Sequence, residues 1–216
     1  MKQLFLTAAA FGVLASAPAM AEAPHRYVQA NIGGVVAGSF EFTENNGGYE
    51  STIDQEADGG VFASVAYGQS ISPKWTIEAE AIYVDADMEL EDSSWNHSAH
   101  GGSIRPLAQI PEAFAITTYG VLLNAKYEVY RSGKTAAYVG AGVGLGHVEY
   151  EVKSWSLSGS VDDNGLMWQL KAGVTRELTA NTALDVSYRY LNTPEIGGFN
   201  DAAGLHALTA GVSYSF

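Results

Sequence analysis

Eight stretches of this chain place an apolar residue at every second position, with small or polar residues between. Successive side chains on a strand point to opposite faces, so a period of two specifies a strand with one apolar face. In the first stretch Val28, Ala30, Ile32, Gly34 and Val36 alternate with Gln29, Asn31 and Gly33. Val61 to Tyr67, Trp75 to Tyr83 and Tyr119 to Tyr127 repeat the scheme. In the fifth, Ala137, Val139, Ala141, Val143 and Leu145 oppose Tyr138, Gly140, Gly142, Gly144 and Gly146. Leu166 to Val174, Leu184 to Tyr190 and Leu208 to Phe216 complete the set. Such a chain folds as antiparallel sheet, with its apolar face either buried in a sandwich or turned outward to lipid.

Aromatic spacing separates the two. On the apolar face Trp75 and Tyr83 bracket the third strand, and Tyr119 and Tyr127 the fourth, each pair eight residues apart. Eight steps of ~3.3 Å at a ~40° tilt rise roughly 20 Å, close to the ~25 Å apolar band between aromatic girdles. Connections after the even strands are short (68–74, 129–134 and 176–181), and those after the odd strands are longer, the longest from about Asp85 to about Phe114. The expected fold is all-β: an eight-stranded antiparallel up-and-down transmembrane β-barrel with short periplasmic turns and long extracellular loops. Tyr67, Trp75, Tyr83, Tyr119, Tyr127, Trp168, Tyr188 and Tyr190 are its expected girdle.

Export is expected from the first segment. Lys2 precedes an apolar run from Leu4 to Ala15, which closes on Ala19-Met20-Ala21, the small residues that signal peptidase needs. A signal peptide over 1–21, cleaved before Glu22, leaves 22–216 as the barrel domain. The run is about a dozen residues, short of the ~20 that a membrane-anchoring helix requires. Composition agrees: 16% charged residues is well below the ~25% of soluble domains, and Gly reaches 24 of 216. With no Cys there is no disulfide, thiolate metal site or Cys nucleophile. A net charge of -13 argues against nucleic acid as a partner, because phosphates call for Lys and Arg.

Four short motifs then carry a resemblance over about Arg26 to Phe216. WTIEAEAIY (75–83), AYVGAGVGLG (137–146), ALDVSYRY (183–190) and the terminal VSYSF together resemble the eight-stranded outer-membrane β-barrel family of Gram-negative bacteria. This group includes the transmembrane domain of OmpA, OmpX and the opacity-type adhesins. The resemblance implies a monomer inserted from the periplasm. It makes Val212, Tyr214 and Phe216 the signal read by the barrel-assembly machinery. It does not imply one function, since members include tethers, adhesins and small pores. The expected departure from OmpA is that nothing follows Phe216 to bind peptidoglycan, so a cell-wall tether is not expected.

With the apolar face outward, Glu78, Glu80, Lys126, Lys171, Asp185 and Arg189 point into the lumen. An eight-stranded barrel is only wide enough for its own side chains, and charges buried there must pair or meet water. An ion-pair plug is expected, with the glycines of 140–146 leaving room for long Lys and Arg. General acid–base chemistry or an ion path are the functional alternatives. The internal salt-bridge cluster of OmpA points to the plug.

Beyond Tyr83 the outward positions become Asp85, Asp87, Glu89 and Glu91, and the inward ones Ile82, Val84, Ala86, Met88 and Leu90. Glu149, Glu151 and Lys153 likewise alternate with Val148, Tyr150 and Val152, and Phe114 and Ile116 add inward apolar groups. These strands are expected to rise past the membrane, with water outside and a small apolar cap over the barrel mouth. Residues 38–60, turning at Asn46-Gly47, hold six further acids from Glu41 to Asp58. Such acids keep a surface hydrated; they also suit diffuse divalent-cation contact with lipopolysaccharide phosphates.

Little chemistry is expected elsewhere. His97-Ser98, with His100 close by, invites comparison with a lipid A deacylase barrel, but the stretch has loop composition and no evident acid to orient the His. Loose His spacing gives no metal site, and the alternating glycines are not a phosphate loop, so no cofactor is expected. His147 and His206 fall at outward positions near strand ends, where headgroups explain them. The expected protein is a non-enzymatic outer-membrane barrel with a plugged lumen and a structural or adhesive role. Its partners would be outer-membrane lipids and lipopolysaccharide, the assembly machinery, and a host or cell-surface ligand. Contact with such a ligand is expected through 38–60 and 85–114, where Phe40, Phe42, Trp95 and Arg105 stand. A narrow gated porin is the alternative, and a lipid-modifying enzyme a minor one.

Overall fold

The computed structural model describes residues 25–45, 49–97, 113–153, 158–195 and 202–216. Side chains are described throughout these except at 40–45, 49–55, 58, 88–97, 113–114, 152–153 and 158–159. The chain runs β1 (Arg26–Asn45), β2 (Tyr49–Ser70), β3 (Trp75–His97), β4 (Ala113–Ser132), β5 (Thr135–Lys153), β6 (Ser158–Glu177), β7 (Thr182–Asn192) and β8 (Gly204–Ser215). Each strand pairs antiparallel with its neighbour in sequence, and β8 pairs with β1 to close the barrel. All eight alternating stretches are strands.

The turns at one end are shorter than the composition suggests. Ser132 pairs with Thr135 around Gly133-Lys134, and Gly133 has a φ of 55°, the left-handed region that favours glycine. Opposite, the connection expected from about Asp85 to about Phe114 is strand through His97 and again from Ala113. The period of two continues there, so pairing continues past the outer aromatic ring. His97, expected in a loop, therefore ends β3, its backbone in register with Tyr49. Asn46-Gly47 and residues 1–21 lie outside the described residues.

Inside and outside are inverted relative to a water-soluble sandwich. Aliphatic residues such as Ile32, Val65, Leu123, Leu145 and Val186 stand exposed on the outer wall. Glu78, Glu80, Lys171, Asp185 and Arg189, each at most 4% exposed, fill the interior. Charges take the inner face only when the outer one meets something less polar than water. The outer wall is bounded by two aromatic rings. At the turn end Trp75 lies 4.9 Å from Tyr127 and Tyr67 lies 6.5 Å from Phe216. At the loop end stand Tyr83, Tyr119, Trp168, Tyr188 and Tyr190. All eight expected girdle residues are on the outer face, and Tyr214 and Phe216 extend the turn-end ring.

Two layers fill the interior. The half nearer the turns is polar. Above it Val35, Phe62, Ile82, Val84, Ala86, Leu122, Met167, Leu191, Leu205 and Ala207 form one buried apolar cluster. This is the cap anticipated from the inward apolar positions, seated deeper in the barrel because it begins at Phe62 and Leu122. Ile116 and Val148 are fully buried as well. The side chains of Met88, Leu90 and Phe114, expected in the same cap, lie outside those described.

Candidate functional site: the ion-paired lumen

Glu78 and Glu80 leave β3 on the inner face two residues apart, opposite Asn124 and Leu122 of β4. Glu78 accepts hydrogen bonds from Tyr27, from Lys126 Nζ at 3.0 Å and from Lys171. Glu80 accepts from Ser64 (2.7 Å), Asn124 (2.9 Å), Gln169 (2.8 Å) and Arg189 (2.5 Å), with Lys171 Nζ at 3.4 Å. Charges therefore alternate along a chain from Lys126 through Glu78, Lys171 and Glu80 to Arg189. Alternation places every charge beside its opposite, which offsets part of the desolvation cost of burying it.

The sixth residue does something else. Asp185 accepts from two neutral hydroxyls, Tyr138 Oη at 3.0 Å and Thr175 Oγ1 at 2.9 Å. Its link to the chain runs through Tyr138, whose ring lies 4.1 Å under Lys126 Nζ. Five charges in the chain sum to one excess positive, and Asp185 supplies the balancing negative across that ring. Arg189 is steadied on its far side by Thr209 at 3.2 Å and by the Phe62 ring, 4.9 Å away, where the polar layer meets the apolar one.

The β5 glycines make the arrangement fit. A Cβ at Gly142 would overlap the Asn124 amide, and one at Gly140 would press on the stems of both Lys126 and Lys171. Gly140 lies between these lysines in register, so their ammonium groups lean over bare backbone to reach Glu78. Tyr27, Tyr138, Gln29, Asn31, Ser64, Asn124 and Gln169 were not singled out from sequence. Their signal was parity, since each lies on the inward face of its strand. Gln29 donates to Asn31, Asn31 to Ser64 and Ser64 to Glu80, so a row of small polar groups extends the network around β1 and β2.

Val212, Tyr214 and Phe216 share the outer face, each about half exposed or more. The Phe216 N–H donates to Arg26 O at 3.0 Å, closing β8 onto β1 at the turn end. Other expected positions are not described: Arg105, Ser98 and His100, and the side chains of Phe40, Phe42, Trp95 and His97.

The family model for the outer membrane protein beta-barrel domain matches residues 6–216. The outer membrane protein PagN of Salmonella typhimurium is 28% identical over 87 residues, 38% of this chain and 36% of PagN, so the match spans about a third of that relative. Neisserial surface protein A superposes with a TM-score of 0.55 at 17% identity, covering 90% of this chain and 100% of that one. OprG from Pseudomonas aeruginosa superposes with a TM-score of 0.53 at 12% identity, covering 90% and 97%. Both structures share the fold.

Proposed function

We propose that this chain, which belongs to the outer membrane protein β-barrel family and resides in the outer membrane of a Gram-negative bacterium, works as a closed barrel with a structural and surface-contacting role. The supporting observation is the double filling of the lumen: an ion-paired layer with an apolar layer stacked on it. The role is non-catalytic. Glu78 and Glu80 are engaged by Lys and Arg on several sides, which suits anchoring more than proton transfer.

Residues 1–21 would direct export, and Val212, Tyr214 and Phe216 would be read by the assembly machinery. Surface contact would fall to β1, β2 and β3, which continue past the outer ring to Asn45, Tyr49 and His97. A host or cell-surface ligand would meet an acidic surface, since Asp85 and Asp87 stand on the outer face of β3, and Glu149 and Asp162 on that of β5 and β6.

A narrow gated pore is the second reading. It is favoured by the short polar lining of β7, β8 and β1, where Ser187, Thr209, Ser213 and Asn31 face inward. Single-channel conductance of the refolded chain in a planar bilayer separates the two, with folding verified by heat-dependent gel mobility. A silent membrane is the expected result. Stable conductance steps from the unaltered protein would replace the closed barrel with the pore.

A further inference from the structure

Four rings step across β6, β7 and β8 on the outer wall at the loop-end girdle. Trp168 lies 5.3 Å from Tyr190, Tyr190 lies 4.9 Å from His206, and His206 lies 5.9 Å from Tyr188, between ring centroids. The Tyr188 hydroxyl is 2.5 Å from His206 Nδ1. Gly204 leaves the space that Tyr190 occupies, because a Cβ there would meet its hydroxyl at 2.7 Å. Asn192, in register with Gly204, stands on the same outward side, one row beyond Tyr190.

The hydrogen bond sets the chemistry of His206. When the Tyr188 hydroxyl donates its hydrogen bond to Nδ1, the neutral imidazole carries its proton on Nε2 and donates from there. Among the described residues no hydrogen bond is made to Nε2. A donor set among aromatic faces suits a phosphorylated sugar: the rings cover the sugar's apolar face and the N–H meets a phosphate oxygen.

His147 provides the contrast. Its Nδ1 lies 3.0 Å from Asn164 Oδ1 and its ring 4.9 Å from Tyr119, a similar cradle. The next outward row, however, reads Asp85, Thr117, Glu149 and Asp162 across β3 to β6, which repels an anion. Around His206 the outward neighbours are Tyr188, Tyr190, Leu208 and Ala37, none of them acidic, with Glu195 in the connection beyond Asn192. Arg26, Lys74, Arg131, Lys134 and Arg176, the exposed Lys and Arg among the described side chains, all sit at the turn end. At the outer-leaflet end the described basic side chains on the wall are histidines.

We propose that His206, with Tyr188, Tyr190 and Trp168, docks the phosphorylated sugar headgroup of lipid A in the outer leaflet. This rests on the membrane placement of the barrel and not on whether its lumen conducts. The test is native mass spectrometry of the refolded full chain in detergent, titrated with diphosphoryl lipid A and with fully dephosphorylated lipid A. Folding is checked separately by heat-dependent gel mobility. The unaltered protein is expected to hold the phosphorylated lipid roughly tenfold more tightly, the size of one charge-assisted hydrogen bond. His206→Ala is expected to remove most of that preference, Tyr188→Phe to weaken it, and His147→Ala to leave it unchanged. Equal retention of the two lipids by the unaltered chain would overturn the proposal. So would an undiminished preference in folded His206→Ala, or an equal loss in His147→Ala. A conducting barrel that still prefers the phosphorylated lipid would overturn the closed-barrel reading alone.

Discussion

Glu80 accepts hydrogen bonds from donors on β2, β4, β6 and β7, which makes it the residue where four strands meet. Glu80→Ala leaves Arg189 buried beside a vacated acceptor, and removing one partner of a buried pair costs about 3–5 kcal/mol. The expected outcome is a lower urea midpoint for unfolding from detergent micelles. Adding Arg189→Met is expected to restore much of the loss, because it removes the stranded charge as well. An unchanged midpoint in Glu80→Ala would mean that the charge is solvated. The inward direction of all six charged residues was legible from parity. Their partners were not. Contacts across a barrel depend on strand tilt and stagger, a property of the closed sheet that no local pattern encodes. Asp185 illustrates this: an ion-pair plug calls for a cation beside it, and the closed sheet brings it Tyr138 and Thr175 instead.

At the scale of elements, β5 and β8 are the most specialised. Alternate glycines make β5 the thin wall over which the lysine stems lie, and the pattern is plain in the sequence because nothing but a strand repeats Gly at every second position here. In β8 the apolar face ends in Val212, Tyr214 and Phe216, and the last N–H closes onto β1. Deleting Phe216 removes that bond and a ring of the turn-end girdle. Outer-membrane assembly is expected to fall severalfold, read as loss of the heat-modifiable band; normal insertion would remove the assembly role from this residue. Strand ends were the least legible feature. Asp85 and Asp87 keep the period of two and were legible as rising strand, whereas the stretch around His97 has loop composition and yet ends β3.

For the whole molecule, the stacking of the two interior layers matters more than either alone. Phe62, Leu122 and Met167, each no more than 1% exposed, span the barrel above Arg189. A dry apolar constriction stops ions even when the charges below it are rearranged. Glu80→Ala is therefore expected to stay silent in a planar bilayer, whereas Glu80→Ala combined with Phe62→Ser and Met167→Ser is expected to give measurable steps. Conductance from Glu80→Ala alone would show that the apolar layer is not tight.

The pairing of β1 with β8 has a temporal side. Its partners come from opposite ends of the sheet order, so every partial product of the chain presents two raw strand edges. In hydrocarbon an unpaired edge is intolerable, so no intermediate short of the complete set can rest in the bilayer. Slow long-range pairing of this kind also leaves the exported chain open to aggregation while it waits. Assembly of this protein is thus a commitment made only once the final strand has arrived, and until then the chain depends on being kept soluble in transit.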